Sequence, residues 1–154
     1  MKFILIPAVF LAASAFGYAQ FPELQLADLQ TLQRTDPALK ESKIQDLGFD
    51  LRSEFLNKGA KTLGYSKCWN ATIRDKPVYE QLLWWNTAAN SLSFLTLDES
   101  HFRQLRQSIV ERGAQGSITE NPDIYVGHLF LYRFGVRKVD EVEFYGVTIE
   151  FKKK

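Results

Sequence analysis

The sequence predicts an α+β domain with two layers, in which helices cover one face of a mainly antiparallel sheet of about five strands. Apolar residues first recur at helical spacing and then alternate with a period of two along several consecutive segments. Those strand-like segments follow one another with short links, which favours antiparallel pairing of neighbours. At 154 residues, without a repeat or a low-complexity linker, the chain has the length of a single domain.

The composition of the chain excludes several classes of protein. Hydrophobic residues make up 45% and charged residues 24%, which is typical of a folded globular protein and not of a disordered one. The 19 Lys and Arg residues are balanced by 18 Asp and Glu residues, so no net charge attracts nucleic acid, and we expect no nucleic-acid partner. The one Cys, Cys68, excludes an intrachain disulfide, so the domain must be stabilised by packing.

Residues 1–19 have the three parts of a secretory signal peptide. Lys2 gives a basic start, residues 3–13 are uncharged and mostly large and apolar, and small residues follow. The pattern favours cleavage after Ala19, so that a single mature domain spans residues 20–154.

An uncleaved membrane anchor is the alternative explanation of this segment. Residues 3–22 carry no charge and have about the length that a membrane-spanning helix needs. The strongly apolar part is shorter, and Pro7 interrupts it, so cleavage is favoured and no stable membrane insertion is expected afterwards. The absence of a disulfide fits the periplasm or the bacterial cell surface better than a eukaryotic extracellular fluid.

Residues 22–58 are predicted to be helical, in two or three short helices. Asp36 followed by Pro37 is typical of an N-cap and a first helical residue. A later helix is predicted because apolar residues recur every four positions, on one helical face. These residues are Leu47, Leu51 and Phe55.

Residues 61–154 are predicted to form the sheet, with one helix inserted between its third and fourth strands. Residues 63–73, 78–85 and 92–97 are the first three predicted strands, because large apolar residues alternate or cluster between short turns. Since these strands are close in sequence, we expect them to form an antiparallel meander.

The inserted helix has the strongest local signals in the chain. Asp98 is its predicted N-cap and Gly113 its end. Its inward face is predicted to consist of Phe102, Leu105 and Ile109. Two strands follow, at residues 124–134 and 142–151, with a turn at residues 135–138.

No motif predicts catalysis, a metal site or a cofactor. His101 and His128 are far apart in sequence and belong to no HxxxH or CxxC pattern. Cys68 and His128 would form a nucleophile and base only if they lay on neighbouring strands. Neither a GxSxG elbow nor a glycine-rich phosphate loop is present. The sequence therefore favours a protein that is not an enzyme and that needs no cofactor.

The aromatic residues are the most informative candidates for binding. Trp84 and Trp85 are adjacent on a predicted strand, so their side chains point to opposite faces of the sheet. One face is covered by helices, so the Trp on the other face is either covered by a loop or offered to a partner. The alternative is a central strand packed on both faces. The candidate binding residues are Trp69, Tyr79, Trp84, Trp85 and His128.

These observations favour an exported, non-enzymatic domain that binds a partner protein through its sheet face or sheet edge. An inhibitor or immunity-type protein is the concrete form of this hypothesis. One alternative is a small-ligand-binding protein or a hydrolase-like enzyme with an aromatic pocket between helix and sheet, and another is a structural domain of the cell envelope. The first hypothesis predicts an exposed aromatic patch, and the second a concave cavity that contains His128 or a carboxylate.

Overall fold

The computed structural model describes residues 23–57, 59–73, 76–116 and 123–152, so the expected signal peptide over residues 1–19 lies outside the described residues. The described residues form three helices and eight strands. The helices are α1 (Leu26–Arg34), α2 (Pro37–Asp46) and α3 (Glu99–Glu111). The strands are β1 (Asp50–Asn57), β2 (Ala60–Ile73), β3 (Lys76–Asn86), β4 (Ser91–Thr96), β5 (Gln115–Gly116), β6 (Ile124–Val126), β7 (Phe130–Val139) and β8 (Val142–Phe151). None of the described helices is long and apolar enough to cross a membrane.

All eight strands belong to one sheet, in the order β1-β2-β3-β4-β8-β7-β6-β5. Each strand is antiparallel to its neighbours. The predicted α+β class with a mainly antiparallel sheet is therefore confirmed. The predicted number of about five strands is wrong, because one predicted helix is a strand, one predicted strand is a hairpin, and β5 adds a two-residue strand.

The segment from Asp50 to Asn57 is a strand and not the predicted later helix, so the helical part does not extend to residue 58. The register of β1 against β2 shifts between Leu51 and Ser53, as in a β-bulge. Leu51 lies opposite Tyr65 while Phe55 lies opposite Thr62, so these two apolar residues face opposite sides of the sheet. Because β1 precedes the predicted first strand, α3 follows the fourth strand and not the third.

The predicted strand over residues 124–134 is a hairpin formed by β6 and the start of β7. Tyr125 pairs with Tyr132 across this hairpin. The amide of Gly127 donates a hydrogen bond of 2.8 Å to the carbonyl oxygen of Phe130 and closes the turn. His128 therefore lies in a turn and not on the face of a strand.

The predicted turn at residues 135–138 lies inside β7, and the chain turns instead at Asp140 and Glu141. These two residues have φ values of 47° and 73°. Positive φ at both central residues is typical of the two-residue hairpin loop whose twist matches that of its strands. The consequence is that residues 135–138 are part of a sheet face.

Side-chain caps begin two of the helices, as the sequence predicts. The Asp36 carboxylate accepts a hydrogen bond from the amide of Ala38 at 2.8 Å. The Asp98 carboxylate accepts from the amides of Ser100 and His101 at 2.8 and 3.2 Å. These bonds satisfy amides that have no partner inside the helix, so both helices begin directly after their capping residues.

The main core lies between the three helices and one face of the sheet, which we call the helix face. Its buried helical residues include Leu26, Leu29, Leu32, Ile44, Leu105 and Ile109, and its buried strand residues include Tyr65, Leu83, Leu92, Phe94, Val147 and Ile149. The opposite face is called the Trp84 face below. The two faces differ because most of the buried apolar residues lie on the helix face.

Candidate functional site

The two adjacent tryptophans lie on opposite faces of the sheet. In the register of β3 against β4, Trp85 is opposite Leu92 on the helix face, and Trp84 is opposite Ser93 on the other face. Trp85 is 6% exposed and belongs to the main core. Trp84 is partly exposed, and the described helices all pack on the face away from it. Of the two, only Trp84 is therefore available to a partner.

Trp84 belongs to a group of side chains that we call the Trp84 cluster and that consists of Phe55, Trp84, Ser93, Arg137 and Thr148. The rings of Phe55 and Trp84 meet edge to face, with centroids 5.3 Å apart and an interplanar angle of 75°. The guanidinium carbon of Arg137 lies 5.7 Å from the centroid of the Trp84 ring. Both are favourable geometries for aromatic and cation–π contacts. Since β4 and β8 separate β3 from β7, the cluster spans the middle of the sheet.

Arg137 gives the Trp84 cluster its charge. Its Nη2 donates a hydrogen bond of 2.9 Å to Thr148 Oγ1, which is 2.8 Å from Ser93 Oγ. Burial lowers the pKa of the Arg137 guanidinium. Within the described part of the chain, no carboxylate forms an ion pair with Arg137. A partly desolvated guanidinium in this state is suited to bind a carboxylate from another molecule.

Glycines on the Trp84 face leave space that neighbouring side chains occupy. A Cβ atom at Gly64 would lie 3.3 Å from Cε1 of Phe55, so the Phe55 ring lies over a position without a side chain. Gly135 and Gly146 are opposite each other in β7 and β8. A Cβ atom at Gly146 would lie 2.5 Å from Cδ2 of Leu95, which is 0% exposed. The face therefore combines close-packed apolar residues with the Arg137 charge.

The five predicted binding residues do not form one site. Trp84 lies in the Trp84 cluster, whereas Trp85 is enclosed in the core on the other face. Trp69 and Tyr79 are opposite each other in β2 and β3, and their side chains lie outside what the structure describes. His128 is exposed in the turn between β6 and β7.

His128 lines a second feature, a cleft of about 180 Å³ between α1, α3 and the start of β7. We call it the two-arginine cleft, because Arg34 and Arg112 also line it. Gln30 Nε2 donates to the hydroxyl oxygen of Tyr132 at 2.7 Å, and Arg112 Nη1 donates to Gln30 Oε1 at 3.2 Å. This cleft lies between helices and sheet, where the sequence-based alternative places a pocket, but its aromatic residues are not the predicted tryptophans.

Lys40 is a buried amine that the sequence does not single out. Its Nζ donates to Asn90 Oδ1 at 2.8 Å and to the carbonyl oxygen of Gln33 at 3.3 Å, and it lies 5.5 Å from the centroid of the Trp85 ring. Burial lowers the pKa of Lys40 from 10.5 to about 8. Lys40 is 0% exposed, and its amine joins the turn between β3 and β4 to the helices and does not face solvent.

Cys68, His128 and His101 lie in different parts of the fold. Cys68 lies on β2, whose neighbours are β1 and β3, and His128 precedes β7. A Cys68–His128 pair on neighbouring strands is therefore wrong. His101 is buried in the core, with its Nε2 2.7 Å from the carbonyl oxygen of Leu24. The described residues contain no group of three His, Cys, Asp or Glu side chains that could hold a metal ion.

Phe55 and Arg137 are members of the Trp84 cluster that sequence analysis misses. The spacing of apolar residues assigns Phe55 to a helix, and the glycine at position 135 suggests a turn around Arg137. A signal for Arg137 does exist, because Phe134 and Val136 alternate with smaller or polar residues, as in a strand. For Phe55 the bulge in β1 hides the alternation.

Comparisons of the chain with models of known protein families, with curated proteins and with solved structures found no match.

Proposed function

We propose that this chain is an exported, non-enzymatic protein-binding domain, and that its partner protein docks on the Trp84 face. The concrete form of the proposal is an inhibitor or immunity-type protein that blocks its partner in the periplasm or at the cell surface. The observation that carries the proposal is the Trp84 cluster, with a partly exposed Trp and an Arg on a sheet face that no described helix covers. Trp and Arg are the residues most enriched at the energetic centres of protein interfaces.

A sheet face is a better docking surface here than a sheet edge. The β1 edge carries a bulge between Leu51 and Ser53 and the charged residues Asp50, Arg52 and Glu54. Bulges and charges are the features by which proteins prevent an edge strand from pairing with another chain. At the other end of the sheet, β5 has two residues in the described part of the chain. The proposal therefore favours side-chain recognition.

The chemistry of the Trp84 cluster defines the partner. Arg137 would bind a carboxylate of the partner, and the rings of Phe55 and Trp84 would contact an apolar side chain beside it. The chain carries 19 basic and 18 acidic residues, so long-range attraction contributes little to the encounter. We expect affinity to come from aromatic burial and from one charge-assisted contact in the centre.

The experiment that tests the proposal is site-specific photo-crosslinking in the producing cell. A photo-crosslinking amino acid replaces Leu82, which is on the Trp84 face next to Trp84, and a control variant carries it in place of Leu39 on α2. Leu39 is 60% exposed and Leu82 is partly exposed, and the two positions lie on different surfaces. The proposal expects a discrete protein adduct from position 82 and none from position 39.

The partner identified by crosslinking allows a quantitative prediction. Trp84→Ala should weaken binding of the purified partner by about 2 kcal/mol, which is about 30-fold in affinity. Arg137→Ala should weaken it as well and should reduce the dependence of affinity on salt. Leu39→Ala and Arg103→Ala, on the exposed surfaces of α2 and α3, are matched controls that should bind as the wild type does. Unchanged affinity in both cluster variants would show that the face is not the docking surface.

Export has its own test. The mature protein recovered from the periplasmic or extracellular fraction should start at Gln20, as measured by N-terminal sequencing or intact mass. A chain that keeps residues 1–19 and stays with the membrane would support the anchor instead.

A further inference from the structure

The two-arginine cleft is a second candidate site, which goes beyond the proposed function and does not rest on it. It lies on the helix face, between one side of α1, the C-terminal end of α3 and the first residues of β7. The cleft has a volume of about 180 Å³. That space fits a ligand group of a few heavy atoms and not a second helix.

The charges that line this cleft are all basic. Arg34 and Arg112 contribute a guanidinium each, and no carboxylate is among its described lining residues. Neither arginine forms an ion pair with an acid in the part of the chain that the structure describes. Burial raises the pKa of Tyr132, and the hydrogen bond from Gln30 and the charges of Arg112 and Arg34 act against this rise.

The donors of the cleft are held in place before any ligand arrives. Arg112 is bonded to Gln30, which in turn donates to the hydroxyl oxygen of Tyr132. Arg34 lies with its guanidinium carbon 5.2 Å from the centroid of the Phe130 ring. The Tyr132 hydroxyl accepts from Gln30, so its own hydrogen remains to be donated, and it has no acceptor among the described residues. Because these donor side chains are already ordered, binding a ligand costs less side-chain entropy.

A purely structural explanation for the two arginines is that they neutralise helix C-termini. A helix end carries about half a negative charge, whereas each guanidinium carries a full positive charge, so two helix ends leave the cleft with net positive charge. The end of α2 differs, because Lys43 in its last turn forms an ion pair with Asp46 at 3.5 Å, so the positive charge there is matched by a carboxylate of the same helix.

We propose that the two-arginine cleft binds the oxyanion group of a small ligand, a carboxylate or a phosphate. Arg34, Arg112 and the Tyr132 hydroxyl donate to its oxygens, and the exposed side chain of Leu129 and the ring of Phe130 contact the apolar part of the ligand. Guanidiniums are suited to carboxylates and phosphates, because they can donate two parallel hydrogen bonds to two oxygens of the same group.

The test is a titration of the full mature chain, followed by amide chemical shifts in NMR, with acetate, benzoate and inorganic phosphate as separate probes at constant ionic strength. Sodium chloride is the reference anion. We expect saturable shifts at Ala114 and at residues 127–130 with at least one oxyanion, and no saturation with chloride. Tighter binding of benzoate than of acetate would identify a carboxylate ligand with an apolar part, and tighter binding of phosphate a phosphate ligand.

Matched variants decide whether the arginines hold the anion. Arg34→Ala and Arg112→Ala should each weaken binding by about tenfold, while Arg112→Lys should retain part of it. Arg133→Ala is the control, because Arg133 is exposed on the Trp84 face and bonded to Glu150 at 3.0 Å. Folding of each variant is checked by its amide spectrum, and Arg34 and Arg112 are exposed, so loss of fold is not expected. No saturable shift with any oxyanion, or wild-type affinity in both arginine variants, would overturn the proposal.

Discussion

Trp85→Ala is expected to lower the free energy of unfolding by about 3–5 kcal/mol, the usual cost of removing a large buried aromatic side chain. Trp85 is enclosed in the core under the helices, and Lys40 Nζ lies 5.5 Å from its ring. The substitution therefore opens a cavity and also removes the cation–π contact of a buried ammonium. Urea denaturation followed by circular dichroism measures the loss.

Trp84→Ala is the matched control on the neighbouring position. Trp84 is partly exposed and contacts Phe55 and Arg137 on the other face, so we expect a smaller loss of about 1–2 kcal/mol. The ratio of the two losses reports which face of the sheet carries the main core. Equal losses would contradict the division of the sheet into a covered face and a docking face. Together with the binding data, the pair separates a residue that stabilises from a residue that recognises.

The stability of the fold is expected to rise by about 2 kcal/mol between pH 8 and pH 10 because of Lys40. Burial lowers the pKa of Lys40 from 10.5 in the unfolded chain to about 8 in the folded one. Between these values the unfolded chain holds a proton that the folded chain has released, so the free energy of unfolding increases with pH. Below pH 8 both states are protonated, and the penalty of the buried ammonium is fully present.

The rise should end near pH 10, where tyrosines begin to act in the opposite direction. Burial raises the pKa of Tyr65 to about 12, so above pH 10 the unfolded chain loses its phenol proton first and stability falls. Chemical denaturation at a series of pH values should give a maximum near pH 10. In Lys40→Met the rise should disappear. Lys61→Met removes an exposed lysine paired with Glu54 and should keep the rise, and a rise that survives in Lys40→Met would exclude Lys40 as its source.

The buried amine also explains how the sheet is joined to the helices. Asn90, at φ 45°, ends the turn between β3 and β4 and presents both its side chain and its carbonyl oxygen to α1 and α2. Lys40 and Gln33 bind these oxygens from the helices. The contact fixes β3, the strand that carries Trp84, relative to the helical layer. Lys40 thus positions the proposed docking face without being part of it.

Local signals in the sequence determine a large part of this fold. The caps at Asp36 and Asp98, the alternation in β2 to β4, and the last strand over residues 142–151 are each predicted correctly, because each depends on a dozen residues or fewer. The antiparallel sheet follows from them, since strands close in sequence pair with one another. The opposite directions of Trp84 and Trp85 follow from the geometry of any strand.

Some sequence patterns are compatible with two kinds of local structure, and these patterns lead to the wrong predictions. An apolar spacing of four fits one face of a helix, and it also fits a bulged strand, so β1 is mistaken for a helix. Gly135 is typical of a turn, yet here it faces Gly146 inside a hairpin that turns five residues later. Only pairing with a neighbouring strand distinguishes these cases.

The sequence by itself thus determines an α+β chain with an antiparallel sheet, balanced charge, one cysteine and a tryptophan on each face of β3. Tertiary structure decides which of the two tryptophans the helices cover, and it brings Arg137 and Phe55 to the other one. It also brings Arg34 and Arg112, from the ends of two helices, to one cleft beside His128. The physical reason is the distance along the chain over which each signal acts. Helix caps and alternation depend on residues that are near one another in sequence. Both sites depend on residues that are far apart in sequence and that the strand order and the packing of the helices bring together.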